Sequence, residues 1–280
     1  MNLRALTTIV HLTLHEAARR RVLVATLLGA AAFLLLYAIG FHFAAANVRD
    51  EVGATFVRQR MTLNVLTLAG LYATHFLGVL TAVLLPLDTL SGEIASGVMQ
   101  TVASKPLSRP SIVLGKWIAY ALVCAGYTLG VATGVLLVAG LIGGFTPPGV
   151  AQGLPLMMLE SVLFVTLSIA GGTRLSTVTN GVLAFGLYGL AFIGHWVEQV
   201  GTFTDNLGAR NVGTVASLIM PTEAIWGRAA HGMQPSIMRD LGMTPFAPVS
   251  EPSLVMVAWA IGWGALVLLW GVRGFAKRTL

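Results

Sequence analysis

Apolar residues fall into six long runs along the chain, separated by short polar stretches. Runs of about 18 or more residues with few charges are long enough to cross a bilayer as helices, whereas shorter ones are core helices. The runs predict spans at 22–46, 61–87, 112–142, 154–170, 181–197 and 254–272. Ahead of the first, residues 1–21 place Leu3, Leu6, Ile9, Val10, Leu14 and Ala17 at helical spacing and end in Arg19, Arg20 and Arg21. That pattern predicts an amphipathic helix lying on the membrane surface. Two longer polar connections remain. Residues 88–111 are rich in Ser, Gly and Pro, and residues 198–252 precede the last span. In the second, Val212, Val215, Leu218 and Ile219 share a face, and Pro221 suits the first turn of a new helix. Two short helices broken at Met220 are expected there, with Ile225 and Trp226 at the membrane interface.

Composition agrees with an all-α integral membrane protein forming one domain over 1–280. Of its 280 residues 56% are hydrophobic and 10% charged, against roughly 45–50% and 25% in soluble domains. This excludes an ordinary soluble enzyme. The net charge of +6 reads as loops facing an anionic leaflet rather than as a nucleic-acid surface. In the six-span topology one side holds eleven Lys and Arg against three acids, and the other six against seven. By the positive-inside rule both termini and the 88–111 connection are expected to be cytoplasmic in a cell (inner) membrane. The first twenty residues contain His11, His15, Glu16, Arg19 and Arg20 and have no apolar core or small-residue cleavage site, so no signal peptide is expected. Cys124 is the sole cysteine and lies in an apolar run, which excludes an internal disulfide. No internal repeat supports an inverted-repeat secondary transporter.

The 88–111 stretch carries the most information. Ser91 or Gly92 suits the start of a short helix with Glu93 in its first turn, where a carboxylate meets the positive end of the dipole. Ile94, Val98, Thr101 and Val102 then share one face, and Pro106 stops the helix. A plain surface loop is the alternative. Within the spans, Glu160 and His75 are candidates because desolvating ionisable groups is costly. Glu160 is expected about 9 Å from the external end of the fourth span, and His75 near the middle of the second. Either residue is open to a structural reading or to lining a substrate path. His42, His75, His195 and His231 with Met157, Met158, Met233 and Met243 supply imidazole and thioether groups, but no pair has compact ligand spacing. No metal site is expected.

The pattern Ser91-Gly92-Glu93, Gly97, Ser104-Lys105-Pro106, Ser108-Arg109 and Leu114-Gly115-Lys116, set between the second and third of six spans, resembles the permeases of type 2 ATP-binding-cassette (ABC) transporters. It is most similar to the branch associated with multicopper-enzyme maturation. The resemblance implies two paired permease chains, identical or different, each resting on a cytoplasmic ABC ATPase subunit. It makes the segment around Glu93 to Arg109 the coupling helix, and in the family the 198–252 region dips back into the outer leaflet, a partly ordered external loop being the alternative here. Residues 173–180, where Arg174 is the only charge, are either a second cytoplasmic contact or a plain positive-inside turn. The chain contains no G-x-x-x-x-G-K-[ST] phosphate loop, since Gly115-Lys116 is followed by Trp117. ATP and Mg therefore belong to the partner, and no cofactor or catalytic residue is expected in this chain. Two other readings stay open. One is a mechanical transmitter that drives an external accessory protein without passing cargo. The other is an intramembrane enzyme using Glu160 and His75, against which stand their different spans and different expected depths.

Overall fold

A computed structural model describes residues 3–50, 56–103, 108–241, 246, 248 and 251–278, and every regular element among them is a helix. They are α1 (Leu3–Arg19), α2 (Arg21–Asp50), α3 (Phe56–Leu84), α4 (Ser91–Ala95), α5 (Val98–Ala103), α6 (Arg109–Gly143), α7 (Val150–Gly172), α8 (Thr177–Phe203), α9 (Leu207–Ile219), α10 (Thr222–Gly232), α11 (Ser236–Leu241) and α12 (Leu254–Ala276). Six of these, α2, α3, α6, α7, α8 and α12, are long and apolar enough to cross a membrane. Each of the six expected spans is present, and most extend beyond their apolar runs. Helix α3 begins five residues early and takes in Arg58, Gln59 and Arg60, while α8 continues to Phe203. The apolar run measures the hydrocarbon thickness, whereas good helix formers let the backbone ladder continue into the polar layer.

Helix α7 is the most enclosed of the six and α2 the least. Leu27, Leu28, Leu35 and Leu36 of α2 point outward, which suits lipid. Tyr120, Phe164, Val165, Ile169 and Phe275 lie in the main core between α6, α7 and α12. Lipid tails are as apolar as leucine, so burial from water does not by itself hold such helices together; close packing and interhelical hydrogen bonds do. Thr128 and Ser161 hydroxyls meet at 2.6 Å between α6 and α7. The Trp117 indole donates to Thr166 Oγ1 at 2.8 Å, and Ser168 donates to the Val83 carbonyl at 3.0 Å. Each such bond is worth on the order of 0.6 kcal/mol in a membrane protein.

After α8 the chain turns back instead of leaving the bundle. Helix α9 runs antiparallel to α8 at very close range: a Cβ at Gly194 would stand 2.3 Å from the Ala216 Cβ, and one at Gly213 would stand 2.3 Å from the Glu198 Cβ. Met220 and Pro221 break the path where expected, and α10 returns toward the α6–α7 turn, where Gly149 approaches the Gly232 carbonyl. The break is buried. Irregular backbone at span depth is tolerated only when protein covers it, and α10 is accordingly enclosed, with Trp226 and Ile225 fully buried. Trp226 is thus a core residue rather than an interfacial anchor. The last short helix, α11, carries no strong pattern of its own.

Candidate functional site

Two places concentrate polar chemistry. The first is the face that carries the ends of α1 and α12. The expected single helix there is two, because Gly97 adopts a left-handed conformation with φ of 78° that an L side chain rarely takes. This turn breaks the shared face: Met99 is buried, Ile94 is half-buried and Val98 is exposed. Lys105 and Pro106 lie outside the described residues.

Each remaining motif residue has a local reason to be there. Glu93 in the first turn of α4 forms an ion pair with Lys116 of α6, whose side chain is only 8% exposed. Neighbouring Gly115 admits Ile9 of α1, since a Cβ there would come 2.6 Å from the Ile9 Cγ2. Gly92 leaves room for the Asp88 carboxylate. The Ser91 hydroxyl meets that of Thr177 at 2.8 Å, and Thr177 donates to Asp88 at 3.0 Å, tying the segment to the start of α8. Arg109 donates to the carbonyls of Ala276 and Arg278, and Arg278 to that of Thr173 at 2.7 Å. Arg174 lies over the Trp270 ring, 4.6 Å from its centroid, a cation–π contact with its own chain. Beside this face Arg20 pairs with Glu16 at 2.5 Å. Its guanidinium is held above its ordinary range: burial works against this, and the Tyr120 and Glu16 side chains outweigh it.

The second place is inside the bundle. His75 of α3 stands between two carboxylates, Nδ1 at 2.9 Å from Glu160 of α7 and Nε2 at 3.2 Å from Glu223 of α10. The Glu160 contact is a hydrogen bond. The Glu223 contact is at ion-pair distance, and neither Glu223 oxygen has a hydrogen-bond partner among the described residues. His75, Glu160 and Glu223 are 2%, 3% and 0% exposed. Tyr72 stacks on the imidazole at 5.6 Å between ring centroids, and Trp226 and Tyr188 approach at 5.1 and 6.1 Å. Two more polar atoms of α10, Thr222 Oγ1 and Trp226 Nε1, also have no hydrogen-bond partner among the described residues.

The expectation that Glu160 and His75 lie at different depths is overturned. Helix α7 begins at Val150 rather than at residue 154, so Glu160 is ten residues, about 15 Å, along it and level with His75. Glu223 escaped notice as a partner because its segment reads as an external connection. The available signal was an acid directly after Pro221-Thr222, in the first turn of a short helix that also carries Ile225 and Trp226. Of the other candidates, His42 is exposed on α2, His195 bonds Gln199 at 2.9 Å and His231 faces the Pro248 carbonyl, while Met157 and Met233 lie in one apolar cluster with Trp226. Met243 lies outside the described residues. Among the described residues no three His, Cys, Asp or Glu converge on a metal-sized point, since the two carboxylates approach opposite edges of one ring.

The family model described as ABC-2 family transporter protein matches residues 15–197, a span from the end of α1 through five of the six long helices. The chain belongs to the ABC-2 transporter family. No curated protein sequence matches it significantly. As an ABC-2 permease it is a non-catalytic membrane subunit of a transporter, and its six long helices make it a multi-pass membrane protein. Within this permease the matched region contains the whole α4–α5 segment, together with His75 and Glu160. Glu223 falls outside it.

Proposed function

We propose that this permease is the membrane half of an ATP-driven exporter, moved by a separate cytoplasmic ABC ATPase that rests on α4 and α5. The observation that carries the reading is the Glu93–Lys116 ion pair. It joins the short, largely half-buried α4 to the longest span, the 35-residue α6. Glu93 is therefore an internal strut, and the surface offered to the ATPase is the exposed side made by Ala95, Ser96, Val98 and Gln100. A push there passes through Lys116 into α6, through Thr177 into α8, and through Arg109 into the end of α12. Because these contacts lock the face together, the input is a rigid-body displacement. It changes the relative stability of two arrangements of the paired spans, and cargo moves through its differential affinity for the two. ATP and Mg act in the ATPase. Both termini face the cytoplasm in this reading, and a second permease chain completes the path.

The test separates docking from transmission. Val98→Asp puts a charge on the exposed surface, and the ATPase recovered with a tagged permease, identified by mass spectrometry, should be lost. Glu93→Gln should keep the ATPase bound while uncoupling its hydrolysis from the permease. Recovery of the ATPase at the wild-type level with Val98→Asp would show that this surface is not the contact.

A further inference from the structure

Residues 19–21, where α1 hands over to α2, are all arginines, and they are not equivalent. Arg20 is half-buried and built into the fold. Its guanidinium donates to Glu16 from Nε at 3.2 Å and from Nη2 at 2.5 Å, and from Nη1 to the Leu85 carbonyl at 3.4 Å; it lies 5.8 Å from the centre of the Tyr120 ring. These contacts fix the turn to the end of α3 and to α6. The guanidinium has five N–H groups, so part of the Arg20 fork stays available. Arg19 and Arg21 are exposed. Against the three cations stand Glu16 and Asp88, the carboxylates that act on Arg20, while the nearby Lys116 and Glu93 cancel one another. The corner therefore keeps a positive charge. His15, Glu16, Arg19 and Arg20 line an open pocket of about 480 Å³ in it.

The place of this pocket in the fold decides what fits it. Helix α1 turns its apolar face to protein: Ile9, Thr13 and Ala17 are buried, and Gly115 of α6 admits Ile9. The basic pocket thus stands on a fixed support. Directly after Arg21, α2 presents Val22, Val24, Leu27 and Leu28 outward, and α2 is long and apolar enough to cross a membrane. The arginines accordingly stand where hydrocarbon gives way to headgroups. An anion at that level whose apolar part runs down α2 is a phospholipid, and arginine forks hold phosphate by paired, charge-assisted hydrogen bonds.

We propose that this corner binds one anionic phospholipid, its phosphate held by Arg19 and the free donors of Arg20 beside His15, and its chains lying along Val24 and Leu28. Because Arg20 also holds the Leu85 carbonyl and the Tyr120 ring, an occupied site braces the end of α3 that leads into α4. The site requires only that α2 crosses the membrane; it does not depend on the transport reading, and its occupancy is read without ATPase or cargo.

Native mass spectrometry of the purified full-length permease, titrated with phosphatidylglycerol and phosphatidylcholine, gives the affinity for the first molecule of each. Phosphatidylglycerol should bind more tightly. Arg19→Gln should weaken it about fivefold, the contribution of one arginine beside an anionic lipid surface, and leave phosphatidylcholine unchanged. Arg19→Glu should remove the preference altogether. Arg19 is exposed at a helix end, so neither change disturbs the packing. Arg210→Gln, at an exposed position past the far end of α8, should not affect the first phosphatidylglycerol. Equal affinity for the two lipids, a preference that survives Arg19→Glu, or the same loss with Arg210→Gln overturns the proposal. Glycerol 3-phosphate, which has the phosphate without the chains, should not displace the lipid; displacement at a comparable concentration would make this a site for a soluble phosphate and overturn the lipid assignment.

Discussion

Lys116 is held inside the protein by one carboxylate, and the two partners are not equivalent. Glu93 is 19% exposed against 8% for the lysine, so Glu93 can turn to water if it is abandoned and Lys116 cannot. Removing one member of a buried pair strands the other, at a cost of about 3–5 kcal/mol when burial is complete, and partial exposure reduces this. Glu93→Ala should therefore lower the melting temperature in detergent more than Lys116→Met does. The double variant should recover part of the loss, because an apolar residue no longer needs a partner. The same reasoning distinguishes substitutions at Glu160. Gln retains the shape and a hydrogen-bonding group for His75, whereas Leu leaves the Nδ1 edge of the imidazole without its partner. The yield of monodisperse protein should fall steeply for Glu160→Leu and little for Glu160→Gln; equal yields would mean the hydrogen bond contributes nothing to assembly.

Among elements, the α8–α9 contact depends on glycines that let two helices nearly touch. A methyl at Gly213 would stand 2.3 Å from the Glu198 Cβ and 2.7 Å from the Gly194 carbonyl oxygen, and neither can retreat without moving its helix. Overpacking of this kind costs about 1–3 kcal/mol. Gly213→Val should lever α9 away, seen as faster protease cleavage between residues 203 and 222 with the rest of the chain intact. Unaltered cleavage would show that the contact is looser than the distances say. These elements were legible to very different degrees. Hydropathy marks all six spans, and Pro221 marks the α9–α10 break, because both signals are local. The α4–α5 break was invisible as such: Gly97 reads as one small residue inside an amphipathic pattern, and nothing local in the sequence marks its positive φ. The juxtaposition of His75, Glu160 and Glu223 was illegible for a related reason. Three helices far apart in sequence deliver them, and each residue alone looks like an isolated anomaly.

At the scale of the molecule, an even number of long helices returns the chain to the side from which it started, and the Arg109 contacts with Ala276 and Arg278 set the start of α6 beside the end of α12. In a Cys124→Ala background, Asn206→Cys should react with an impermeant maleimide on intact cells, and Lys277→Cys only after lysis. Labelling of Lys277→Cys in intact cells would reverse the orientation. The order in which the chain is made bears on the buried trio. His75 and Glu160 are synthesised and inserted long before α10 exists, so for a time the imidazole has one acid and the place of α10 stands open to lipid or water. Residues 222–232 enter late, and of the described helices only α11 and α12 follow. A nascent permease halted before residue 222 would hold a complete pair and an unfilled slot beside it. The final steps of biogenesis are therefore what seal the interior.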